Sequence, residues 1–185
     1  MMKSRWIACG TVLVAGLAVA AQHSNSGMQL FSRAPNFKAS TADGKTYELD
    51  QMTKSGPVYL LFIKEDCPVT AEAIDLYNNL YRAYGSKAPV LGILSGDAAQ
   101  YKAYNAKHHL PFATVLDPKL DIVKSYKVEN SPWMIEVRAN GTIGGSWQGY
   151  SQDFLQQMNK ALATAAGVTP AKVDFSAAPK SAAYG

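Results

Sequence analysis

The chain has 185 residues, 48% of them hydrophobic and 17% charged, with a formal net charge of +4 at pH 7. That length suffices for one domain with a genuine core. The charge is too mild and too evenly spread to argue for nucleic acid or an anionic membrane surface as partner. No internal repeat and no block of like charge breaks the pattern.

In chain order, Lys3 and Arg5 give a positive start, residues 7–19 are almost wholly apolar, and Ala18-Val19-Ala20 reads as a small-residue cleavage site. Residues 1–21 are therefore expected to be a signal peptide that exports the protein to the periplasm or the medium. An uncleaved membrane anchor is the rival. It is disfavoured because the apolar run of roughly 15 residues falls short of the ~20 that a spanning helix needs. Residues 22–33 are polar and glycine-containing and read as a flexible lead-in. Residues 34–166 read as the folded domain. Residues 167–185, rich in Ala, Pro, Lys and Ser without apolar periodicity, read as a disordered tail.

Inside the domain, strand and helix signals alternate. Residues 37–40 and 45–49 are short strands around the turn Asp43-Gly44. Residues 58–63 form an unbroken apolar run, as expected of a strand covered on both faces. Ala73, Ile74, Tyr77, Leu80, Tyr81 and Tyr84 then recur at helical spacing, and Gly85 closes that helix. Residues 90–94 are a second buried strand. Asp97 caps the next helix with Gln100 in the reciprocal position, and the helix fades near Lys107. Residues 112–116 are a third strand, after which Asp117 and Pro118 start a helix as cap and first residue. Residues 134–138 and 142–147 flank Asn140-Gly141 as a hairpin. Ser151 caps a last helix whose Phe154, Leu155, Met158 and Leu162 face inward before Gly167. The order implies an α/β layered domain with a central mixed sheet.

With Cys9 lost in the leader, Cys67 is the one cysteine of the mature chain. In an oxidising compartment structural cysteines pair, so a lone one is either a working thiol or pairs with another molecule. Cys67 follows the strand at 58–63 and precedes Pro68 at the start of a helix. There the unpaired N–H groups and the positive dipole end favour thiolate over thiol. The plainer alternative is a small buried hydrophobe.

These elements and motifs resemble the thioredoxin-like fold, and most closely its redoxin branch, the AhpC/TSA and peroxiredoxin-like group. Ala34-Pro35-Asn36-Phe37 with Asp43-Gly44-Lys45 resembles that branch's N-terminal hairpin, and Cys67-Pro68 its cysteine at the strand–helix junction. Residues 117–128 resemble the helix and link before the next strand. Ser131-Pro132 stands where the family has a cis-proline, and residues 137–141 where it has its closing hairpin. The resemblance implies a three-layer domain with a mixed sheet flanked by helices. It also implies Cys67 as nucleophile, and backbone near Ser131 and Pro132 that pairs with an extended substrate chain. It allows a homodimer.

The departures from the family carry as much information. Dithiol thioredoxins use Cys-x-x-Cys, and here the fourth position is Thr70, whose hydroxyl is a candidate to hydrogen-bond the thiolate. Peroxiredoxins carry Pro-x-x-x-Thr/Ser-x-x-Cys, and the matching positions are Leu60 and Lys64. They also use an arginine near the segment 131–133, where none stands. Lys64 either stabilises the thiolate or belongs, with Glu65 and Asp66, to a solvated loop. Trp133 either lines a substrate groove beside Pro68, Ser131 and Pro132 or packs in the core.

His108-His109 suits a helix end better than a metal, because the ligand set is incomplete with one mature cysteine. No cofactor and no metal is expected. The tyrosines at 77, 81, 84, 101, 104 and 126 read as packing residues with polar tips. The expected function is an exported monothiol thiol–disulfide oxidoreductase. Cys67 would attack a protein or small-molecule disulfide and an external thiol reductant would release it. The alternatives are a one-cysteine peroxide reductase and a non-catalytic binding module.

Overall fold

The computed structural model describes residues 28–185. The expected signal peptide with Cys9, and residues 22–27 of the lead-in, lie outside them. A hairpin of β1 (Lys38–Ser40) and β2 (Thr46–Glu48) leads into the short helix α1 (Leu49–Met52) and a 3-10 turn, Thr53–Ser55. There follow β3 (Val58–Ile63), α2 (Pro68–Tyr84), a 3-10 turn at Gly85–Lys87, β4 (Val90–Leu94), α3 (Ala98–His108) and β5 (Thr114–Leu116). The remainder is α4 (Asp121–Ser125), β6 (Trp133–Val137), β7 (Ile143–Gln148) and α5 (Gln152–Ala166).

All six residues of β3 are buried, so its sequence shows no polar alternation. It is the central strand of a five-stranded sheet in the order β5-β4-β3-β6-β7. β4 and β5 run parallel to it and β6 and β7 antiparallel. Leu61 pairs with Gly92 on one side and Met134 on the other. Because side chains alternate, Tyr59, Leu61 and Ile63 enter one core with α2, α3 and α5, whereas Val58, Leu60 and Phe62 enter a second core with α1 and α4. A mixed sheet between two helical layers is the thioredoxin-like arrangement that the resemblance implies.

Local chemistry sets the helix boundaries. The Asp97 carboxylate accepts from the Ala99 and Gln100 amides at 2.8 and 2.9 Å while the Gln100 side chain accepts from the Asp97 amide, a complete capping box. Ser151 Oγ accepts from the Phe154 amide at 3.1 Å and caps α5. Asp117 departs from expectation. Its carboxylate does cap a helix, accepting from Asp121 and Val123, but Leu120 turns left-handed with φ 60° and α4 begins only at Asp121. Pro118 therefore sits in a turn before the helix, not at its first position.

Two segments expected to be loose are docked. Of the lead-in, Phe31 donates to the Ile143 carbonyl and Ser32 accepts from the Ile143 amide, both at 2.9 Å. These bonds pair with the start of the open edge of β7, at Ile143. Residues 168–185 fold back over α2 and α5. The Ala171 amide donates to Tyr84 Oη, Asn159 Nδ2 donates to the Ala171 carbonyl, and Phe175 and Ala178 enter the first core. Burying a phenylalanine contributes roughly 1.5–3 kcal/mol, only the order of two ordered backbone residues. The tail is thus held by its hydrogen bonds as much as by this anchor.

Candidate functional site

The strand-to-helix junction is built by three turn residues, Lys64, Glu65 and Asp66, closed by the Cys67 amide donating to the Lys64 carbonyl at 3.2 Å. Cys67 then takes an extended backbone, φ −84° and ψ 117°, and stands at the N-cap of α2 with Pro68 as first helical residue. No side chain caps this helix and its first turn holds no acid. No side chain of the first turn of α2 offsets the positive end of its dipole, although Glu65 and Asp66 stand just before the cap. The Cys67 side chain is 4% exposed, and its S–H donates to the Ser131 carbonyl at 3.7 Å.

Ser131 is the hub of the site. Its Oγ accepts from the Lys64 amide at 3.0 Å and from the Thr70 hydroxyl at 2.7 Å, and donates to the Phe62 carbonyl at 3.2 Å. One hydroxyl thus ties together the end of β3, the turn and the first turn of α2. The peptide bond between Ser131 and Pro132 is cis. The Ser131 N–H and C=O face out of this knot, donating to the Gly185 carbonyl at 2.8 Å and accepting from the Gly185 amide at 2.9 Å. Gly185 lies against the sulfur: a Cβ added there would stand 2.8 Å from Cys67 Sγ.

Cys67, Thr70, Ser131 and Pro132 are brought together. Pro68 is exposed on the rim beside them. One expectation needs correction, and at two positions left open the structure favours the plainer reading. Thr70 is wholly buried and its hydroxyl is committed to Ser131 Oγ, so it positions the hub rather than meeting the sulfur. Lys64 Nζ turns to solvent and pairs with Asp66 Oδ1 at 3.5 Å, so the cation belongs to the loop and only the Lys64 backbone serves the site. Trp133 is 2% exposed, with Nε1 donating to Ser146 Oγ at 2.8 Å. Strand alternation places it with Ile135 and Val137 in the second core, on the sheet face opposite α2, so it lines no groove.

Two clefts border the site, one beside Ser131 and Gly185 and one lined by Cys67 itself. One, of about 420 Å³, is lined by Phe62, Ser95, Leu120, Val128, Ser131 and Gly185 among others. The other, of about 660 Å³, includes Cys67, Pro68, Glu72, Gln100, Tyr104 and His108. Neither lining contains an arginine. Arg138 lies instead over the Phe31 ring, 4.9 Å from its centroid, beyond the far end of β6 from Pro132. Tyr104, read from the sequence as a packing residue with a polar tip, has its hydroxyl buried without a hydrogen-bond partner. Burial, reinforced by Cys67 and Asp75, pushes its pKa well above the ordinary tyrosine value. His108 packs its ring 4.4 Å from that of Tyr104, and burial beside Lys107 lowers its pKa, favouring the neutral imidazole. Among the described residues no group of three or more His, Cys, Asp or Glu side chains could hold a metal ion.

Comparison with known proteins bears on the family and the fold. The family model described as the AhpC/TSA family matches residues 31–145. A chloroplastic peroxiredoxin Q from Triticum aestivum is 34% identical over 96 residues, which are 51% of this chain and 44% of the wheat protein. The chain thus spans less than half the length of that relative. The thiol-disulfide oxidoreductase ResA from Bacillus cereus is 26% identical over 118 residues, 63% of this chain and 68% of ResA. Among solved structures, a Chlorobium tepidum protein described as a thiol:disulfide interchange protein DsbE has a TM-score of 0.68 at 19% identity, covering 76% of this chain and 99% of that one. A secreted Mycobacterium tuberculosis disulfide oxidoreductase homologous to DsbE has a TM-score of 0.59 at 22% identity, covering 69% and 95%. These structures share the fold. With its Cys67-Pro68 junction, its cis-Pro132 and a family match over residues 31–145, the chain belongs to the AhpC/TSA family.

Proposed function

We propose that the protein is an exported thiol–disulfide oxidoreductase that works with one cysteine. One observation carries this reading: the Ser131 main chain pairs, through bonds of 2.8 and 2.9 Å, with an extended segment laid directly over Cys67 Sγ. A backbone donor and acceptor beside a sulfur at a helix N-terminus are suited to presenting a polypeptide disulfide. The Cys67 thiolate attacks one sulfur of the substrate disulfide, forming a mixed disulfide and expelling the other sulfur as a thiolate that takes a proton from water. Thr70 offers no second thiol. An external thiol must therefore attack Cys67 Sγ and free the bound substrate sulfur. A second equivalent of that thiol then restores Cys67 and leaves as the reductant's disulfide. Two electrons pass from the external thiols to the substrate.

Residues 1–21 and the secreted M. tuberculosis neighbour support export. The ResA relative supports disulfide as the substrate. The wheat peroxiredoxin favours peroxide as a second reading. Against it, Leu60 and Lys64 replace the proline and the threonine or serine of that group, and neither cleft beside Cys67 offers an arginine.

The test follows Cys67 by intact mass in the reduced mature chain, exposed either to limiting hydrogen peroxide or to a small-molecule disulfide. Each rate is referred to that of the urea-unfolded chain, so that restricted access weighs on both reactions alike. The expected result is that folding favours disulfide exchange over peroxide oxidation. A larger relative gain for peroxide makes the protein a one-cysteine peroxidase. No difference between the two, with cellular function retained by Cys67→Ser, makes it a binding module.

A further inference from the structure

The segment laid over the sulfur is the chain's own tail. We propose that residues 178–185 are a resident occupant of the groove at Cys67, a strap that closes the sulfur until a substrate chain displaces it. The proposal rests on the reading of Cys67 as the nucleophile.

The tail meets the site as a substrate strand would. Ala183 and Tyr150 exchange two main-chain hydrogen bonds of 2.9 Å, and Gly185 and Ser131 exchange two more. Ala183 is two residues before Gly185, so both pairs lie on one edge of an extended chain. The contact is shaped for closeness. Gly149, at φ 80°, has no side chain where a Cβ would strike the Ala183 carbonyl, and Gly185 has none where a Cβ would strike Cys67 Sγ. The occupant thereby describes what the groove takes: an extended polypeptide whose main chain pairs with Ser131 and Tyr150.

The same segment is built to leave. Upstream, Phe175 and Ala178 are buried, and the Pro179 carbonyl accepts from the Gln152 amide at 2.9 Å. Beyond them Lys180, Ser181, Ala182 and Tyr184 are exposed. A firm anchor upstream keeps the strap at high effective concentration over the groove, while the exposed stretch beyond it opens at low cost. Cys67 is then reactive only in the open fraction of molecules.

The test is the rate of iodoacetamide alkylation of Cys67 in the reduced, full-length mature chain, compared with Ala183→Pro and Gly185→Val. The first removes the N–H that Ala183 gives to Tyr150, and the second drives a branched side chain toward the sulfur. Both changes lie outside the domain core, and a urea midpoint for each variant checks that the domain stays folded. Both variants are expected to alkylate about tenfold faster or more, reflecting a larger open fraction. Rates that agree within about twofold across all three proteins overturn the strap. Alkylation needs only an accessible sulfur, so it separates the strap from the chemistry. Faster alkylation with no mixed disulfide in any protein upholds the strap and sinks the disulfide reading. Mixed disulfides formed from a small-molecule disulfide at one rate by all three uphold that reading and sink the strap.

Discussion

Replacing Ser131 by alanine tests whether one hydroxyl holds the site together. The change removes the acceptor of the wholly buried Thr70 hydroxyl and of the Lys64 amide, and the donor to the Phe62 carbonyl. A buried polar group left without its partner costs about 1–3 kcal/mol. Exposed Lys64 regains part of its loss from water, so the sum comes to roughly 2–4 kcal/mol. Thr70→Val removes one bond while leaving Ser131 its other two partners, and should cost about 1 kcal/mol. The double variant carries no orphaned Thr70 hydroxyl. It should therefore be destabilised by less than the sum of the single changes, with a coupling of about 1 kcal/mol or more. Urea denaturation of the four reduced proteins, read by far-UV circular dichroism, closes the cycle. Ser131→Ala costing no more than Thr70→Val, or strict additivity, refutes the hub and returns Thr70 to the sulfur.

Two further outcomes test the packing around the site. Tyr104→Phe deletes a buried hydroxyl that has no partner, so it should leave stability unchanged or raise it by up to about 1 kcal/mol, and a clear loss in urea denaturation would reveal an unrecognised partner. Burial holds the Glu136 carboxyl above its ordinary value of 4.5, with Arg138 pulling the other way. The folded state then binds the proton more tightly than the unfolded one, so stability present below that value is lost as pH rises through the folded one. Glu136→Gln should accordingly melt higher than the natural chain near pH 7, with the gap closing below about pH 4, and a gap that widens in acid would contradict the assignment.

The features that were legible in the sequence are those written in local chemistry. The unbroken apolar run of β3, the capping box at Asp97, the Ser151 cap and the periodicity of α2 each reside within a few residues. The same is true of Cys67 between a buried strand and Pro68. The resemblance, not periodicity, pointed to Pro132. Illegible were the contacts made over long sequence distances. Ser131 binds residues 61 to 69 positions away, and that pairing turned Thr70 from a thiolate partner into a support. Trp133 was ambiguous because its side of the sheet depends on strand register, which the neighbouring Ser-Pro does not reveal. The tail failed a test of composition because its anchors, Phe175 and Ala178, have no period. Its pairing partners, Tyr150 and Ser131, lie 33 and 54 residues before Ala183 and Gly185.

Cys67, the one cysteine among the described residues, and the strap bear on one another. A Cys-x-x-Cys site escapes a stalled mixed disulfide through its own second thiol, whereas Cys67 has Thr70 at that position, buried and bonded to Ser131. On the proposed reading a mixed disulfide at Cys67 would therefore last until an external thiol arrives. In an oxidising compartment a permanently open thiolate would also be exposed to over-oxidation, and the sulfinic and sulfonic forms are not recovered by thiols. Covering the sulfur at rest limits that exposure without an added group. Only an extended chain that can make the same main-chain bonds to Ser131 and Tyr150 competes for the groove. Displacement by such a chain would then open the site and present its disulfide in one event. That coupling requires small peroxides and alkylating agents, which make none of those bonds, to gain from strap release more than a polypeptide disulfide does.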